Sequence, residues 1–228
     1  MSVLSLKGSQ SLTNPASLHP HETHSCYFHR LTTAEVRRRL CHMLPGALAL
    51  GLSQMPQERP LRSTGLTMMC LLFVVLGIVV RVVYPLIARP NERHYTSNIL
   101  RYCAAIIALL FLFPANPEFA AVVIAVIAFG DGSAALFGLM LGQRHLPWNP
   151  EKTWAGFIGF VACAFPLATL AYWLEAQPDV PLFVAAICAG TAVALGAVVE
   201  SLPMKSSDNL RVGLGAALGV VAAHYFLI

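Results

Sequence analysis

Seven apolar stretches dominate the sequence and limit the folds available to it. They cover residues 40–52, 66–88, 99–113, 119–141, 154–174, 182–199 and 210–228. A helix needs about 20 predominantly apolar residues to cross a bilayer, so the first and third stretches are short for a full span. The stretches are continuous and do not alternate, which predicts helices and not a barrel. We therefore expect an all-α, polytopic membrane bundle of about seven transmembrane helices, or of six if the first helix lies in the interface.

The composition supports a membrane environment for most of the chain. Hydrophobic residues make up 57% of the 228 residues and charged residues only 11%, whereas soluble domains contain roughly 25% charged residues. Such high hydrophobicity also excludes disorder, which requires a polar and charged chain. Residues 1–33 are the exception, because they are polar and contain no long apolar run. We expect a disordered leader over residues 1–33 and one membrane-embedded domain over residues 34–228.

The positions of the basic residues predict the orientation of this bundle. Of 15 Lys and Arg residues, 12 lie before the first apolar stretch or near the loops on that side, two lie in the loops on the other side, and Arg81 lies within the second stretch. Loops rich in Lys and Arg stay in the cytosol. We expect a multi-pass protein of a bacterial inner or cell membrane, with its N-terminus and charged loops in the cytosol and its C-terminus outside.

Asp131 is the first residue whose position suggests chemistry. It follows a run of eleven uncharged residues, 120–130, and so lies at or inside the membrane boundary. A carboxylate there costs a few kcal/mol on insertion scales, and intramembrane acids therefore usually serve a function. The flanking Gly130 and Gly132 permit the close approach of a ligand or of another backbone. Asp131 is thus a candidate for binding a ligand or a metal ion.

Small residues and a charged loop follow Asp131. A spacing of four residues places Ala134, Gly138 and Gly142 on one helical face. Such spacing is common where two helices pack closely, but beside Asp131 we expect this face to admit a flat or bulky ligand. The next loop ends in Lys152 and Thr153, where lysine suits phosphate and threonine suits phosphate or a metal-bound water. Together these residues predict a nucleotide–metal site at the membrane interface.

A second group of polar residues lies between the sixth and seventh apolar stretches. Glu200 directly follows three apolar residues, Pro203 breaks the helix, and Asp208 opens the last stretch. Asp208 is equally well explained as a helix N-cap. By the orientation above, Asp131, Glu200 and Asp208 lie on one side of the bundle with Lys152. There the three acids are able to share a divalent cation.

The first group of residues resembles the CTP-binding signature of membrane CTP-dependent enzymes. That family includes dolichol kinase, phytol and farnesol kinase, and phosphatidate cytidylyltransferase. The positions that match the signature are Asp131, Ala134, Gly138, Gly142, Lys152, Thr153 and Gly156. Two positions depart from it: Glu151 stands where a second lysine is usual, and Ala155 where an acid is often found. The resemblance covers about residues 34–228.

The second group separates the branches of that family. Phosphatidate cytidylyltransferases carry a Gly-His-Gly-Gly-type segment near their end, and this sequence has none. Residues 199–214 instead resemble the ending of phytol and polyprenol kinases, with Ser207 in place of one acid and Gly213 in place of a frequent proline. Near the start, a spaced set of residues resembles the pattern that opens many members; it consists of Glu35, Arg38, His42 and Gly46.

The resemblance implies a CTP-dependent kinase domain that phosphorylates an isoprenoid alcohol, such as phytol, farnesol, a polyprenol or dolichol, at the cytosolic membrane face. It implies catalytic roles for Asp131, Lys152, Glu200 and Asp208, of which Asp131 and Asp208 bind Mg²⁺ or another divalent cation. It implies CTP contacts from Gly132, Ala134, Gly138, Gly142, Thr153, Gly156 and Asn209. The expected partners are the lipid alcohol, CTP and the membrane, without a nucleic-acid polymer.

Two other functions remain open from the sequence. A cytidylyltransferase would join CTP to a lipid phosphate and release pyrophosphate, and would use the same kinds of residues. A small membrane transporter or scaffold would also contain intramembrane acids and interrupted helices. The sequence shows no internal repeat of the kind many transporters contain, and both polar groups lie on one side of the predicted bundle.

Overall fold

The computed structural model describes residues 32–52, 63–83, 95–204 and 208–228. Seven helices lie within these ranges: α1 (Thr33–Leu52), α2 (Ser63–Val83), α3 (Tyr95–Leu112), α4 (Pro117–Leu141), α5 (Trp154–Glu175), α6 (Leu182–Ser201) and α7 (Asp208–Leu227). Each corresponds to one of the seven apolar stretches. The predicted leader, apart from residues 32 and 33, lies outside the described residues.

Five of the helices in the described ranges are long and apolar enough to cross a membrane. They are Thr64–Val83, Pro117–Leu141, Trp154–Glu175, Leu182–Ser201 and Asn209–Leu227, and Arg101–Leu112 is a shorter apolar helix. The prediction of an all-α, polytopic bundle is confirmed. Helix α1 begins at Thr33, before its apolar stretch, so its first two turns carry the charged residues Glu35, Arg38 and Arg39.

Helix α4 forms the centre of the bundle. Every residue from Pro117 to Ala128 is buried, because α1, α3, α5, α6 and α7 all pack around this helix. Helix α2 lies at the outside, packs against α3 and exposes a row of large apolar side chains. A bilayer would cover such a row at no cost, since lipid chains are as apolar as the side chains themselves.

Glycines and alanines allow the last two helices to pack closely. A Cβ atom at Gly219 of α7 would lie 2.8 Å from Cα of Ala192 on α6, and one at Gly215 would lie 3.1 Å from Cγ2 of Val199. Neither position has room for a larger side chain without movement of α6. Close helix packing therefore accounts for this Gly-x-x-x-Gly pair.

Contacts between α1 and α4 show that these two helices run in opposite directions. A Cβ atom at Gly46 of α1 would touch Ala128 and the ring of Phe129, whereas one at Gly132 of α4 would touch Met43. A residue later in α1 therefore contacts a residue earlier in α4, and the two helices are antiparallel. As a result, the charged start of α1 lies beside the C-terminal half of α4, which carries Asp131.

Candidate active site

Helix α4 changes its geometry just where it reaches Asp131. Residues Val126–Asp131 form a π-helical segment between two α-helical parts, Pro117–Ala125 and Gly132–Leu141. Single π-helical turns inside α-helices are frequent at functional sites. The sequence analysis did not predict this segment, because its apolar residues fit an ordinary helix equally well.

The buried hydroxyl of Ser133 supports the π-helical segment. Its Oγ lies 2.5 Å from the carbonyl oxygen of Phe129, 3.0 Å from that of Gly130 and 3.0 Å from that of Gly159 on α5. A π-helical turn interrupts the regular i to i−4 ladder, so carbonyl groups near it need other donors. Ser133 therefore ties the segment that carries Asp131 to α5, a role that the sequence analysis missed.

The Asp131 carboxylate lies between two basic side chains of α1. Its Oδ2 is 3.3 Å from Nε2 of His42 and 4.0 Å from Nη1 of Arg39. The side chain is 17% exposed, so it is shielded but accessible. Nε2 of His42 makes no hydrogen bond within the described residues although the first distance is short, and the second distance is the outer limit of an ion pair. Basic groups thus supply the partners that an acid at a membrane boundary requires.

A buried acid of α1, Glu35, pairs with Arg39 and with the neighbouring Arg38. Glu35 Oε1 accepts hydrogen bonds from Nη2 of Arg38 at 2.7 Å and from Nε of Arg39 at 3.2 Å. Glu35 is itself buried, and its backbone nitrogen lies 3.3 Å from the hydroxyl of Thr32. The opening pattern of Glu35, Arg38, His42 and Gly46 is brought against Asp131 and Phe129. The residues that resemble the opening pattern of the family therefore form one wall of the candidate site.

The glycines next to Asp131 allow large side chains of the protein itself to come close. A Cβ atom at Gly130 would lie 2.6 Å from the ring of Phe160 on α5, and one at Gly132 would lie 2.7 Å from Cε of Met43. Both glycines are buried. The two glycines therefore let side chains of α1 and α5 pack closely against α4 beside Asp131.

The small-residue face of α4 meets the start of α5. A Cβ atom at Gly138 would lie 3.2 Å from Oγ1 of Thr153, and one at Gly156 would lie 2.8 Å from the carbonyl oxygen of Ala134. Gly142 also faces Thr153, whose methyl and hydroxyl groups would lie 2.9 Å from a Cβ there. The two halves of the resemblance motif are therefore packed on each other, and side chains of the protein occupy this face.

Thr153 is the N-cap of α5. Its Oγ1 accepts a hydrogen bond from the backbone nitrogen of Gly156 at 3.1 Å. This bond satisfies one of the free amide groups at the start of the helix. The Lys-Thr-x-x-Gly pattern thus has a local structural basis, which fixes the position of Lys152 immediately before the helix.

Lys152 lies on a short hairpin between α4 and α5. Strands β1 (His145–Leu146) and β2 (Asn149–Thr153) pair in antiparallel fashion. Lys152 Nζ donates a hydrogen bond to Oε1 of Glu200 at the end of α6. The lysine side chain is 26% exposed, whereas the Glu200 side chain is only 4% exposed. The buried carboxylate therefore positions the end of a lysine side chain that is partly accessible.

Two further hairpin residues attach this loop to the end of α6. Asn149 Nδ2 donates to the carbonyl oxygen of Ser201 at 3.1 Å, and Trp148 Nε1 donates to Oγ of Ser201 at 3.2 Å. Asn149 also accepts a bond from the backbone nitrogen of Glu151. The sequence analysis missed both anchors, although a tryptophan and an asparagine in a polar loop are a signal that was available.

The Lys152–Glu200 pair lies at the same end of the bundle as Asp131. A Cβ atom at Gly196 of α6 would lie 3.0 Å from Val126 and 3.5 Å from Phe160, the ring that also packs on Gly130. Helices α4 and α6 run in the same direction, so Glu200 lies at about the level of Gly130, four residues beyond Val126. The sequence expectation that both groups share one side of the bundle agrees with this placement.

Asp208 and Asn209 begin α7. The side chain of Asp208 lies outside the described residues, so its predicted roles as metal ligand and N-cap stay predictions. Asn209 is half-buried. Arg211, one turn into α7, is buried and donates from Nη1 to the carbonyl oxygen of Leu202 at 3.4 Å. The start of α7 is thereby attached to the end of α6, beside Glu200.

A comparison with protein families identifies the group to which this chain is related. Residues 25–204 match the model of the cytidylyltransferase family, which is 180 of the 228 residues. The chain belongs to the cytidylyltransferase family. The region that matches contains α1 to α6, and therefore Asp131 with its basic neighbours and the Lys152–Glu200 pair. Helix α7 follows it in the chain.

Several curated relatives are similar to parts of this chain. A phytol kinase of Synechocystis sp. is 37% identical over 110 residues, which cover 48% of this chain and 46% of the relative. A chloroplastic farnesol kinase of Arabidopsis thaliana is 30% identical over 138 residues, or 56% of this chain and 43% of the relative. A chloroplastic phytol kinase 1 of the same plant is 30% identical over 130 residues, covering 53% and 41%. The chain thus spans less than half the length of these relatives. No solved structure matches the chain.

The side chains around Asp131 determine how a divalent cation could bind at this site. Within the described residues, no group of three or more His, Cys, Asp and Glu side chains is arranged to hold a metal ion. Asp131 instead offers one carboxylate beside Arg39 and His42. Mg²⁺ is usually bound by one or two carboxylates together with waters and substrate phosphates. The site therefore fits Mg²⁺ only together with the phosphates of a nucleotide.

Proposed function

We propose that this protein is a lipid kinase that transfers the γ-phosphoryl group of CTP to the hydroxyl of an isoprenoid alcohol. The observation that carries the proposal is the Asp131 carboxylate, held beside Arg39 and His42 on a central apolar helix. The partly accessible side chain of Lys152 lies at the same end of the bundle as Asp131. A long apolar substrate with one polar end and an anionic donor meet at such a boundary.

The comparisons support the two substrates separately. The chain belongs to the cytidylyltransferase family, and this family description supports CTP as the nucleotide. The names of the relatives, phytol kinase and farnesol kinase, support an isoprenoid alcohol as acceptor and a kinase reaction. A site at the cytosolic face agrees with the distribution of Lys and Arg along the sequence.

In this mechanism the chain positions two substrates and neutralises charge, which is most of what phosphoryl transfer requires. Lys152 contacts the CTP phosphates, and the buried Glu200 holds its ammonium group in place. Arg39 adds positive charge beside Asp131, and the imidazole of His42 lies against the same carboxylate oxygen. Asp131, with Asp208 as a second ligand, would hold Mg²⁺ against the phosphates, and the bound ion would offset charge on the transferred group.

The bonds that change are few. The alcohol oxygen attacks the γ-phosphorus, the bond from that phosphorus to the β–γ bridging oxygen breaks, and CDP leaves. The hydroxyl proton is lost to a basic group at the site. Asp131 is accessible enough to accept it, whereas Glu200 is buried against Lys152. The face formed by Ala134, Gly138 and Gly142 contributes by seating Thr153 and Gly156, and so by placing Lys152 next to the nucleotide.

The decisive experiment follows the label from γ-labelled CTP in the purified, detergent-solubilised protein. Phytol, farnesol, geranylgeraniol, a polyprenol and diacylglycerol are offered in turn, with ATP, GTP and UTP as alternative donors. We expect label in at least one isoprenoid alcohol with CTP as the preferred donor. Label in none of the lipids, with any donor, would contradict the proposal.

The family description favours one alternative, cytidylyl transfer to a lipid phosphate. The two reactions differ in what leaves the nucleotide: a kinase releases CDP, whereas a cytidylyltransferase releases pyrophosphate. The same preparation is therefore incubated with phosphatidate and α-labelled CTP. Pyrophosphate release with label in the lipid would replace the kinase proposal by this alternative.

A further inference from the structure

All three tryptophan residues of the chain are exposed and lie near the ends of α5. Trp148 is on the hairpin before α5, Trp154 is the first residue of this helix, and Trp173 lies two residues before its end. Each of them is 40–45% exposed. Tryptophan is highly buried on average in soluble proteins, whereas membrane proteins place it at the two interfaces between lipid and water. The three rings are thus candidates for interface positions.

An apolar stripe of α5 connects Trp154 with Trp173. The large apolar side chains exposed between them are Ile158, Val161, Phe165 and Leu170. Their spacings of three to five residues place them on one face of the helix, and α5 carries no charged residue between the two tryptophans. The nineteen residues from one tryptophan to the other span about 28 Å along the helix axis, close to the roughly 30 Å of a bilayer's hydrocarbon core. The stripe thus has the length and the composition of a surface that lipid chains cover from one interface to the other.

The hairpin is attached at the level of the first of these tryptophans. The ring of Trp148 stands edge-on against that of Trp154, with centroids 5.7 Å apart and an angle of 80° between the planes. Its Nε1 donates a hydrogen bond to Oγ of Ser201 on α6, which holds the ring in this position. Trp148 and Trp154 therefore form a single exposed aromatic surface, shared by the hairpin and α5.

Exposed aromatic side chains also lie together at the opposite end of the bundle. Trp173 on α5 and Tyr225 on α7 are both exposed there. The residues that precede them, Tyr172 and His224, are in contact, with the phenol oxygen 2.6 Å from Nδ1. This contact brings the two helices to the same level. Aromatic residues thus border the apolar part of the bundle at two levels, as the aromatic belts of membrane proteins do.

Asp131 lies between these two levels. A Cβ atom at Gly130 would touch the ring of Phe160, and Oγ of Ser133 lies 3.0 Å from the carbonyl oxygen of Gly159. The part of α4 that carries Asp131 is therefore level with residues 159 and 160 of α5. These follow the first residue of α5 by five and six positions, which corresponds to about 8 Å along the axis.

We propose that the hairpin lies in the membrane interface, with the aromatic surface of Trp148 and Trp154 among the lipids, and that Asp131 is submerged about 8 Å below this surface. The bilayer itself then covers the apolar stripe of α5, because the stripe ends in a tryptophan on both sides and its length matches the hydrocarbon core. This placement does not depend on the proposed kinase reaction. In that reaction, the lipid hydroxyl would reach Asp131 without leaving the bilayer.

Fluorescence quenching by brominated lipids measures the depth of each tryptophan. The full-length protein is placed in phosphatidylcholine vesicles whose acyl chains carry bromine either near the headgroup or near the chain end, and acrylamide serves as the quencher in water. Replacing two of the three tryptophans by Phe leaves one native reporter. Ile158→Trp and Phe165→Trp are each added to a background in which all three tryptophans are replaced by Phe.

The substitution Ile158→Trp reports on the depth of Asp131 without altering the candidate site, because residue 158 is exposed on the stripe and lies about one turn after Trp154. Phe165→Trp is its matched control, eleven residues from Trp154 and eight from Trp173, near the middle of the stripe. We expect the ratio of deep to shallow quenching to be lowest at the native tryptophans, higher for Ile158→Trp and highest for Phe165→Trp.

Three results would overturn the proposal. A hairpin outside the membrane would leave Trp148 and Trp154 open to acrylamide and unaffected by either brominated lipid. Equal ratios for Ile158→Trp and for Trp154 would mean that Asp131 is not submerged. A second copy of the chain packed on the stripe would protect Phe165→Trp from all three quenchers.

The wild type decides the question if the Phe background does not fold. Its three tryptophans together should be quenched more by bromine near the headgroup than by bromine near the chain end, and Phe165→Trp added to the wild type should shift this balance towards the chain end. A wild type quenched by acrylamide alone would overturn the proposal. CDP release measured on the same vesicles keeps the two proposals apart, because absence of turnover would contradict the kinase reaction and not the depth.

Discussion

Lys152 on the hairpin after α4 is bound through its ammonium group to the buried carboxylate of Glu200, the penultimate residue of α6. The sequence analysis treated these residues separately, Lys152 as suited to phosphate and Glu200 as one of three acids able to share a divalent cation. Their contact makes them a unit, in which the buried acid orients the accessible base. Asp131 with its basic neighbours and this unit are the subjects of the first two of the four predictions that follow.

The first prediction concerns Asp131→Asn, which removes the charge and keeps the shape. Arg39 retains its hydrogen bond to Glu35, so we expect the variant to fold with a melting temperature close to that of the wild type. Turnover should fall by about 100-fold or more, as happens when an electrostatic contact to a transition state is lost. The measurements are CDP release and thermal unfolding of the same preparation.

The control for this variant is Glu151→Gln, which neutralises an exposed acid on β2 and should retain activity. A folded Asp131→Asn with near-normal turnover would remove Asp131 from the catalytic residues. A misfolded variant would indicate that the carboxylate is needed chiefly to hold α1 against α4.

The second prediction separates structure from catalysis at the Lys152–Glu200 pair. Lys152→Met removes the ammonium group beside a carboxylate that is 4% exposed, which should destabilise the protein by about 1–3 kcal/mol. It should also raise KM for CTP without changing the preference among alcohols. The double variant Lys152→Met/Glu200→Met removes both charges and should recover much of the stability.

Activity distinguishes the two roles of the pair. We expect the double variant to stay inactive although it is stable, because the phosphate contact is still missing. Recovery of normal CTP use in the double variant would mean that Lys152 acts only as the partner of Glu200.

The third prediction concerns the contact between α4 and α5. In Gly156→Ala the new Cβ would lie 2.8 Å from the carbonyl oxygen of Ala134, closer than real Cβ contacts, so the helices must separate. We expect a loss of about 1–3 kcal/mol in the free energy of unfolding, as for other overpacked sites. Chemical or thermal denaturation in detergent measures this loss.

A matched substitution is available on α1. Nothing lies within 4 Å of a Cβ at Gly51, so Gly51→Ala should leave stability unchanged or raise it by up to about 1 kcal/mol through helix propensity. Equal effects of the two substitutions would contradict the close contact between α4 and α5.

The fourth prediction tests the orientation in the membrane. The excess of Lys and Arg on one side places a reporter fused after Gln143 in the cytosol and a reporter fused after Ile228 outside it. Alkaline phosphatase and fluorescent-protein fusions give opposite signals on the two sides. Both reporters on one side would show that a span has been miscounted, and α1 is the first to re-examine because it is not among the five long apolar helices of the described residues.

Properties that depend only on residues close together in the sequence were predictable from the sequence. A continuous apolar run of about 20 residues forms a helix in a membrane whatever surrounds it, because every backbone group must be paired internally. The bundle of helices, including the one that carries Asp131, was therefore correctly anticipated. Spacings of four residues likewise placed Ala134, Gly138 and Gly142 on one face.

What lies against each of these residues was decided only by the tertiary structure. The contact of Asp131 with His42, that of Gly138 with Thr153 and that of Lys152 with Glu200 join positions far apart in the chain. Local spacing does not specify which helices become neighbours, since apolar faces pack on many partners of suitable size. Only the packing of α1, α5 and α6 around α4 brings their few charged side chains together, where the low polarity of the surroundings requires each charge to find a partner.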